Sequence, residues 1–211
     1  MYAFNIFIIA LTGYLAGSIP TSIWTGKLMF NKDLREYGSG NAGATNTYRV
    51  LGWRPAVLVL LVDVTKGFLP TLFAPTWWFA SGQPNPHLLQ IVVGMAAISG
   101  HCYTLFAGFR GGKGVGTAAG MMLALFPLVV PFCLIAFVVI VARTRYVSLG
   151  SICAALTLPA GLFILQYGFN RYVPLPLLAF GFLAAAFIVF THRSNIKRLL
   201  EGSETKIGKP R

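Results

Sequence analysis

The sequence has few charged residues, and acidic residues are the rarest of them. Only 10% of its 211 residues are charged, and Asp and Glu together number 5 against 17 Lys and Arg. Soluble domains carry roughly 25% charged residues, so this composition excludes an ordinary soluble protein. Hydrophobic residues make up 56% of the chain and the net charge is +12, so the placement of the few charges is informative.

Charged residues are missing altogether from five long stretches of the chain. Each stretch is long enough to cross a bilayer as a helix, which takes about 20 apolar residues. The apolar residues run continuously, without the alternation that barrel strands show, which argues against a β-barrel. We therefore predict an all-α fold, a polytopic transmembrane helical bundle. The five stretches are Met1–Gly26, Gly67–Phe109, Gly114–Ala142, Tyr146–Asn170 and Tyr172–His192.

Other absences narrow the chemistry. The three histidines show no H-x-x-x-H spacing, and no carboxylate pair suits a glycosidase, so metalloprotease and glycosidase mechanisms have no candidate residues. The three cysteines form no C-x-x-C pair and are interpreted as small buried hydrophobes. No basic residue precedes the first apolar stretch, which predicts a membrane helix there rather than a signal peptide. We expect no metal, no cofactor and no nucleic acid as ligands.

Proline and charge positions divide the apolar stretches into predicted helices. The uncharged stretch Pro75–Pro86 is rich in helix-breaking residues, so we predict a loop outside the membrane there. The segment Val115–Ala142 contains Pro127 and Pro131, and it forms either one crossing or two. The other predicted helices lie near Ala3–Trp24, Pro55–Phe73, His87–Phe106, Val147–Tyr167 and Pro174–Thr191.

The distribution of Lys and Arg favours two crossings for Val115–Ala142, because short cytoplasmic loops carry the excess of these residues. With the N-terminus outside, a single crossing would leave Arg143, Arg145 and the basic C-terminal tail outside. Two short crossings place them inside and leave Arg171 as the one cation outside. We therefore predict about seven spans, some short or broken, in a single domain over residues 1–211. Five spans give the same tail side if one apolar segment is re-entrant.

The first polar segment, residues 33–49, falls on the cytoplasmic side in this topology. Glycines allow close approach of a ligand, and successive backbone N–H groups form a nest that binds anions. A guanidinium adds a forked charge that matches phosphate. The segment is predicted to bind phosphate, and a flexible solvated loop is the alternative. The residues that support this interpretation are Gly38, Ser39, Gly40, Asn41, Gly43, Thr45, Asn46 and Arg49.

The second polar segment, residues 108–120, places glycines around a lysine directly before an apolar helix. The N–H groups and the positive dipole end of a helix N-terminus suit phosphate. The segment is not a Walker A loop, because Gly114 follows Lys113 where that loop has Ser or Thr. Glycines also let membrane helices pack closely, and Gly116 and Gly120 have a suitable spacing for that alternative. The candidate phosphate ligands are Arg110, Gly111, Gly112, Lys113 and Gly114.

The third polar segment follows the last predicted helix. His192 and Asn195 are spaced i,i+3, so they share a helical face and can both reach one ligand. A basic helix end alternatively anchors lipid headgroups. Asp63 and Lys66, with the same spacing, lie inside the second predicted span, where they are functional candidates or neutralise each other. His101, at the end of the third span, belongs to the same cytoplasmic layer.

These motifs closely resemble those of the bacterial acyl-phosphate:glycerol-3-phosphate acyltransferase family. The resemblance extends from Gly17 to Glu204, and several motifs in the same order make it specific. The matching motifs are Gly17-Ser18-Ile19-Pro20 with Ser22, Gly38 to Asn46 with Arg49, Asp63 with Lys66 and Gly67, Gly100-His101, Arg110 to Gly114, and His192-Arg193 with Asn195, Arg198, Gly202 and Glu204.

The resemblance implies a multi-pass enzyme of the bacterial inner membrane whose active site faces the cytoplasm. Its substrates would be acyl phosphate and glycerol 3-phosphate, and its products 1-acylglycerol 3-phosphate and phosphate, in phospholipid biosynthesis. An acyl-phosphate-forming enzyme would supply the donor. Ser39, Lys113, His192 and Asn195 would be catalytic. The phosphate-binding residues would be Asn41, Asn46, Arg49, Arg110, Gly111, Gly112 and Gly114, supported by Ser18, Ser22, Asp63, Lys66, His101, Arg193 and Glu204.

An organic-phosphate transporter is the alternative function. It would use similar groups to form a transient site near mid-membrane, and it predicts inverted repeats with interrupted helices at matching positions of two halves. The sequence shows no internal repeat, and its three polar segments fall on one side of the predicted membrane. Both observations favour the acyltransferase.

Overall fold

The computed structural model describes residues 2–77, 85–204 and 206. Within these ranges all regular structure is helical and no strand occurs, so the prediction of an all-α fold is confirmed. The chain packs as two compact units, a first unit Met1–Leu125 and a second unit Phe126–Arg211. The prediction of one domain stays a prediction. Most of the predicted outside loop, residues 78–84, lies outside the described residues, as do Lys209 and Arg211 of the basic tail.

The described residues form six α-helices in the first unit and four in the second. Short 3-10 turns at Ala74–Thr76 and Leu105–Ala107 follow α4 and α5, and a π-helical turn at Ile164–Gly168 follows α8. The α-helices are α1 Tyr2–Gly17, α2 Thr21–Phe30, α3 Ala44–Leu51, α4 Trp53–Phe73, α5 Pro86–Cys102, α6 Val115–Leu125, α7 Val130–Thr144, α8 Val147–Phe163, α9 Leu175–Thr191 and α10 Arg193–Leu200.

The lengths of the apolar helices agree with the predicted span count. Four helical stretches in the described part of the chain are long and apolar enough to cross a membrane: Ala3–Phe30, Trp53–Thr76, Pro86–Ala107 and Val147–Gly168. The pair α9 and α10, bent by 56°, adds a fifth, and α6 and α7 are shorter apolar helices. Together these make seven segments, as predicted, with some short or broken.

The first predicted helix is broken in the structure. We predicted one helix near Ala3–Trp24, whereas α1 ends at Gly17 and α2 begins at Thr21. Pro20 has no N–H group, and a proline ring clashes with the preceding helical turn. The prediction of a continuous helix is therefore wrong, because Pro20 interrupts an otherwise uncharged apolar stretch.

The break between α1 and α2 frees carbonyl groups that accept hydrogen bonds from distant side chains of the first unit. Ser18 O accepts a hydrogen bond from Thr104 Oγ1. Ile19 O accepts one from Lys66 Nζ at 2.8 Å. Both donors are buried, so the broken helix is held by polar contacts inside the first unit.

A second break separates α6 from α7, as predicted. α6 ends at Leu125 and α7 begins at Val130, with non-helical residues between them that include Pro127. Pro131 stands in the first turn of α7, where its missing N–H group costs no helical hydrogen bond. The segment Val115–Ala142 is therefore two short helices.

Close glycine contacts bring α4 and α6 together in the first unit. A Cβ atom added at Gly67 would clash with the backbone of Thr117, and one at Gly120 would clash with Val64 O. Small residues permit such close crossings between membrane helices. The packing role predicted for Gly120 is therefore seen, and the close crossing fixes the N-terminus of α6 beside Asp63.

Apolar contacts hold the rest of each unit. In the first unit Ile9, Leu89 and Val93 form a buried cluster with Ala74 where α1 packs on α5. In the second unit α8 packs on α7 and α9.

Candidate active site

A cavity of about 320 Å³ in the first unit brings together residues from both of the first two polar segments. Its walls come from the loop before α3, from α3 itself and from the start of α6, and its deepest residues come from α4 and α5. Arg49 and Lys113 are exposed, whereas Asp63 and His101 are buried. The lining residues are Ser39, Asn41, Gly43, Ala44, Thr45, Asn46, Arg49, Leu60, Asp63, His101, Lys113, Gly114, Val115 and Gly116.

Asn46 shapes the loop that carries Ser39. Its Oδ1 accepts hydrogen bonds from Ser39 N at 2.8 Å and Ser39 Oγ at 3.2 Å. Its Nδ2 donates to Leu34 O at 2.9 Å and to Tyr37 O at 3.0 Å. The side chain is 1% exposed, so the amide predicted to bind phosphate is committed to the loop and positions Ser39.

Two helix N-termini open into this cavity. α3 begins at Ala44 and α6 begins at Val115, and the first residues of both helices line it. The first N–H groups of a helix have no partner inside the helix, and they carry partial positive charge. With Arg49 and Lys113 on the same wall, the cavity has the electrostatics of an anion site.

Gly114 lets the chain enter α6 at this point. Its φ is +74°, a conformation that favours glycine, and Ala118 N closes the first helical turn onto Gly114 O. The turn aims the start of α6 at the cavity. This geometry agrees with the predicted phosphate-binding role of the lysine and of Gly114.

Gly111 and Gly112 have a different environment. Gly111 N donates to Cys102 O at 3.0 Å and Gly112 N donates to His101 O at 3.1 Å. A Cβ atom at Gly112 would clash with His101 Nε2 and with Ala42 O. The structure differs here from the expectation that these two N–H groups face a substrate phosphate, because both are used to hold the loop against the end of α5.

Asp63, Lys66 and His101 form a buried cluster at the 320 Å³ cavity. Asp63 Oδ1 lies 2.9 Å from Lys66 Nζ and 3.5 Å from His101 Nδ1. The predicted mutual neutralisation of Asp63 and Lys66 is therefore seen. Asp63 and His101 also line the 320 Å³ cavity, so these two residues can contact a ligand.

The remaining supporting residues of the first unit lie beside this cluster. Lys66 and Ser22 line a second, very small cavity of about 10 Å³, together with Gly111 and Gly112. Ser18 is fully buried, and its Oγ accepts a hydrogen bond from Leu105 N at 3.4 Å. Neither serine lines the 320 Å³ cavity, and their supporting role stays a prediction.

Arg35 links the two predicted phosphate-binding segments, and sequence reasoning missed it. Its Nε and NH2 donate to the two carboxylate oxygens of Asp33 at 3.0 and 2.7 Å, and its NH1 donates to Ala107 O at 2.9 Å. These hydrogen bonds hold the pKa of Asp33 well below its usual value. The contact with Ala107 spans 72 residues of sequence, so no local pattern could have revealed it.

Arg110 lies apart from the 320 Å³ cavity that Lys113 lines. It lines a separate polar cavity of about 380 Å³ with Asp33, Arg35, Glu36 and two glycines. The carboxylates in that wall reduce its attraction for anions. The structure therefore separates Arg110 from Lys113, although the two are three residues apart.

His192 lies at the bend between α9 and α10 in the second unit. Its Nδ1 is 2.8 Å from Ile188 O, and a carbonyl oxygen accepts hydrogen bonds only, so Nδ1 carries a proton. In the neutral ring the acceptor is then Nε2. The neighbouring Arg193 stacks on Phe190 and donates to its carbonyl oxygen, so its contacts are local.

Glu204 organises the polar groups of the second unit. Its carboxylate accepts hydrogen bonds from Ser148 Oγ at 2.7 Å, Asn195 Nδ2 at 2.9 Å and Arg198 Nε at 2.6 Å. These donors, with Asn195 the strongest, lower the pKa of Glu204 from 4.5 to about 2. Glu204 thereby fixes the side chain of Asn195 and connects the segment just after α10 to α8 and α10.

Comparison with known proteins shows close relatives over nearly the whole chain. A family model described as glycerol-3-phosphate acyltransferase matches residues 7–202. The glycerol-3-phosphate acyltransferase of Chlorobium phaeobacteroides is 40% identical, over 97% of this chain and 97% of its own. That of Salinibacter ruber is 42% identical, over 95% of this chain and 91% of its own.

Solved structures agree with the sequence comparison. The chain is similar to crystal structures of PlsY, an integral membrane glycerol 3-phosphate acyltransferase, with a TM-score of 0.71. The glycerol 3-phosphate form is 38% identical and the alignment covers 96% of both chains. The lysophosphatidic acid form is 37% identical, with 96% of this chain and 95% of that chain covered.

Proposed function

Because this chain belongs to the glycerol-3-phosphate acyltransferase family, we propose that it transfers a fatty acyl group from an acyl phosphate to the 1-hydroxyl of glycerol 3-phosphate. The products are 1-acylglycerol 3-phosphate, which is lysophosphatidic acid, and inorganic phosphate. The reaction belongs to phospholipid biosynthesis. An enzyme that forms acyl phosphate supplies the donor in this scheme.

The observation that supports this proposal most is the convergence of positive groups on one cavity. Both substrates carry a phosphate group, and the cavity offers the N-termini of α3 and α6 together with Arg49 and Lys113. Helix N-termini and cations are the usual partners of phosphate in proteins. Holding two anionic substrates together supplies proximity, which is the main requirement of a transfer between two small molecules.

The transfer itself needs one bond to form and one to break. The glycerol 1-oxygen attacks the acyl carbon, the bond from that carbon to the phosphate oxygen breaks, and the hydroxyl proton ends on the departing phosphate. Phosphate is a good leaving group, so stabilising the developing oxyanion is the remaining task. Lys113 is suited to that task because it is an exposed cation that lines the cavity.

A direct transfer is favoured over an acyl-serine intermediate. The Ser39 hydroxyl donates to the amide oxygen of Asn46, and an amide oxygen is not a base that could activate it. In this proposal Ser39 contacts substrate through its oxygen, while Asn46 keeps it in place.

His192 and Asn195 are catalytic residues in the same proposal. The support is the family resemblance together with the side-chain geometry of the second unit, where His192 presents Nε2 as an acceptor and Glu204 holds Asn195. The first proton acceptor is His192, His101 or a substrate phosphate oxygen. No cofactor, metal or nucleic acid enters the scheme.

We also propose that the protein is a multi-pass protein of the bacterial inner membrane with its site facing the cytoplasm. The support is the excess of Lys and Arg on one side of the seven-segment topology. Cysteine probes at Lys32, Arg145 and Lys206 are expected to label from the cytoplasmic side, and one at Asn85 from outside. Opposite accessibility of Arg145 and Lys206 would overturn this topology.

The activity is tested with the purified protein in detergent, an acyl phosphate and radiolabelled glycerol 3-phosphate. Labelled 1-acylglycerol 3-phosphate should form, with release of one phosphate per acyl group. Acyl-CoA and acyl carrier protein donors serve as controls, and a product from these but not from acyl phosphate contradicts the donor assignment. Uptake of unmodified label into vesicles, without acylation, would support a transporter instead.

A further inference from the structure

The 320 Å³ cavity has different charged groups at its mouth and at its floor. Arg49, in the last turn of α3, and Lys113, just before α6, are exposed at the mouth. Asp63 and His101 lie at the floor and are 4% and 6% exposed. Among the described residues that line this cavity, Asp63 is the one carboxylate. The cavity is therefore positive at one end and carries a single negative group at the other.

Asp63 is held in a fixed position by protein groups. Lys66 and His101 both approach its Oδ1 atom, and Lys66 also donates to Ile19 O. The contacts come from α4, from α5 and from the break between α1 and α2. A carboxylate neutralised by neighbouring cationic or ring N–H groups does not need a cationic ligand. Its contribution to the cavity is that of a hydrogen-bond acceptor.

The arrangement selects which part of a substrate reaches the floor. An ionised carboxylate accepts hydrogen bonds and donates none, so the ligand group beside it must be a donor. The oxygens of an ionised phosphate have no proton to donate to it, whereas a hydroxyl group does. A molecule with a phosphate at one end and hydroxyl groups at the other therefore matches the cavity in one orientation.

Building on the acyl transfer proposed above, we infer that Asp63 determines acceptor specificity by accepting a hydrogen bond from the hydroxyl of glycerol 3-phosphate that is not acylated. The acyl phosphate places its own phosphate near the cations of the mouth, because Asp63 accepts hydrogen bonds at the floor and a phosphate oxygen has none to give. The 1-hydroxyl, which attacks the acyl carbon, is then near the mouth, and the 2-hydroxyl lies at the floor.

The test compares two acceptors that differ in that hydroxyl alone. One is glycerol 3-phosphate and the other is 3-hydroxypropyl phosphate, which keeps the phosphate and the reacting hydroxyl but lacks the 2-hydroxyl. The ratio of their kcat/KM values is measured with a fixed acyl phosphate. The wild-type protein should prefer glycerol 3-phosphate, because a site built to bind a hydroxyl discriminates against an analogue without it.

Asp63→Asn should reduce this preference by roughly tenfold to a hundredfold, the range for a hydrogen bond to a charged group. The loss should lie mainly in the KM for glycerol 3-phosphate. Lys66→Gln is the matched control, since it removes the ion pair but keeps the carboxylate, and its acceptor ratio should stay near the wild-type value. The double variant Asp63→Asn with Lys66→Gln avoids an unpaired buried lysine and should show the lowered ratio.

A purely structural ion pair gives a different result. Asp63→Asn and Lys66→Gln would then lower kcat/KM for both acceptors alike, with the acceptor ratio unchanged, and the inference would be overturned. It would also be overturned, without any variant, if the wild type used both acceptors equally well. A wild type that forms no 1-acylglycerol 3-phosphate from acyl phosphate contradicts the proposed function itself, which is a separate outcome.

Discussion

The two units of this protein organise their polar residues in opposite ways. In the first unit, positive groups from α3, α6 and two glycine-rich segments surround a cavity whose lining holds one carboxylate, Asp63. In the second unit the polar side chains collect on a carboxylate, and Glu204 accepts hydrogen bonds from Ser148, Asn195 and Arg198. The first arrangement leaves positive charge for a ligand, whereas the second uses it internally.

This difference suggests a division of tasks. Unsatisfied positive groups bind anions, so residues of the first unit are expected to control substrate affinity. Groups that are already paired with a protein carboxylate have less positive charge to offer a phosphate, and the pairing holds their side chains in one orientation. The second unit is therefore expected to control turnover through His192 and Asn195. The following variants test that division.

The largest effect is expected from His192→Ala. Loss of a proton-transfer residue lowers kcat by roughly 100-fold to 10,000-fold, while the KM values change little. Steady-state rates with acyl phosphate and glycerol 3-phosphate measure this. Ser194→Ala, at an exposed position two residues after His192, is the control and should retain wild-type kinetics. Near-normal turnover of His192→Ala would remove the catalytic task from the second unit and leave it as a membrane anchor.

Lys113→Ala should have the next largest effect. Loss of a charged contact to phosphate raises the KM of a phosphate substrate by roughly tenfold to a hundredfold. Some loss of kcat accompanies it if the lysine also stabilises the oxyanion. The control is Lys197→Ala in the second unit, a lysine that is 76% exposed and 3.9 Å from Glu201. An equal KM change in both variants would mean that net charge, rather than the cavity, attracts the substrate.

Gly112→Ala tests the structural side of the first unit. The new methyl group clashes with His101 and Ala42, so we expect a loss of about 1–3 kcal/mol in stability. Because His101 lines the cavity, kcat/KM should fall as well. In Gly120→Ala the methyl group clashes with Val64 O, and neither residue lines the cavity, so the melting temperature should fall while kcat/KM falls less than in Gly112→Ala. An unchanged melting temperature for Gly112→Ala would contradict the hydrogen-bonded packing of this loop.

The smallest effect at neutral pH concerns Glu204, whose pKa is lowered to about 2. A lowered pKa means that the stabilisation is fully present above about pH 4.5 and is lost as the pH falls toward 2. Melting temperatures of the wild type and of Glu204→Gln should therefore differ above that range and converge below it. Glu201→Gln, beside the exposed Lys197, is the control and should show no such convergence. A pH-independent difference would show that Glu204 acts through packing instead of charge.

The sequence predicted helices well where apolar length and proline act together. The charge-free stretches predicted the positions of α8 and α9, and Pro127 predicted the division between α6 and α7. The break at Pro20 was missed because the uncharged residues around it continue to resemble one span. The break is stabilised by hydrogen bonds from Lys66 and Thr104, which are distant from it in sequence.

The site was predictable in composition but not in its hydrogen bonds. The pattern of glycines and Lys113 before an apolar helix indicated phosphate binding, and the structure places that lysine at a helix N-terminus in a cavity. The pattern could not show that Gly111 and Gly112 donate to the end of α5, because that pairing depends on how two chain segments meet. The same holds for Arg35 and its contact with Ala107.

The four hydrogen bonds of Asn46 have a consequence for motion. Residues 34–39 contain no helix, and the Asn46 side chain bonds to Leu34, Tyr37 and Ser39. Releasing that side chain therefore frees three backbone positions in one local opening event. The amide proton of Ser39, which is bonded to Asn46 Oδ1, reports that event, and a ligand bound at Ser39 should slow its hydrogen exchange.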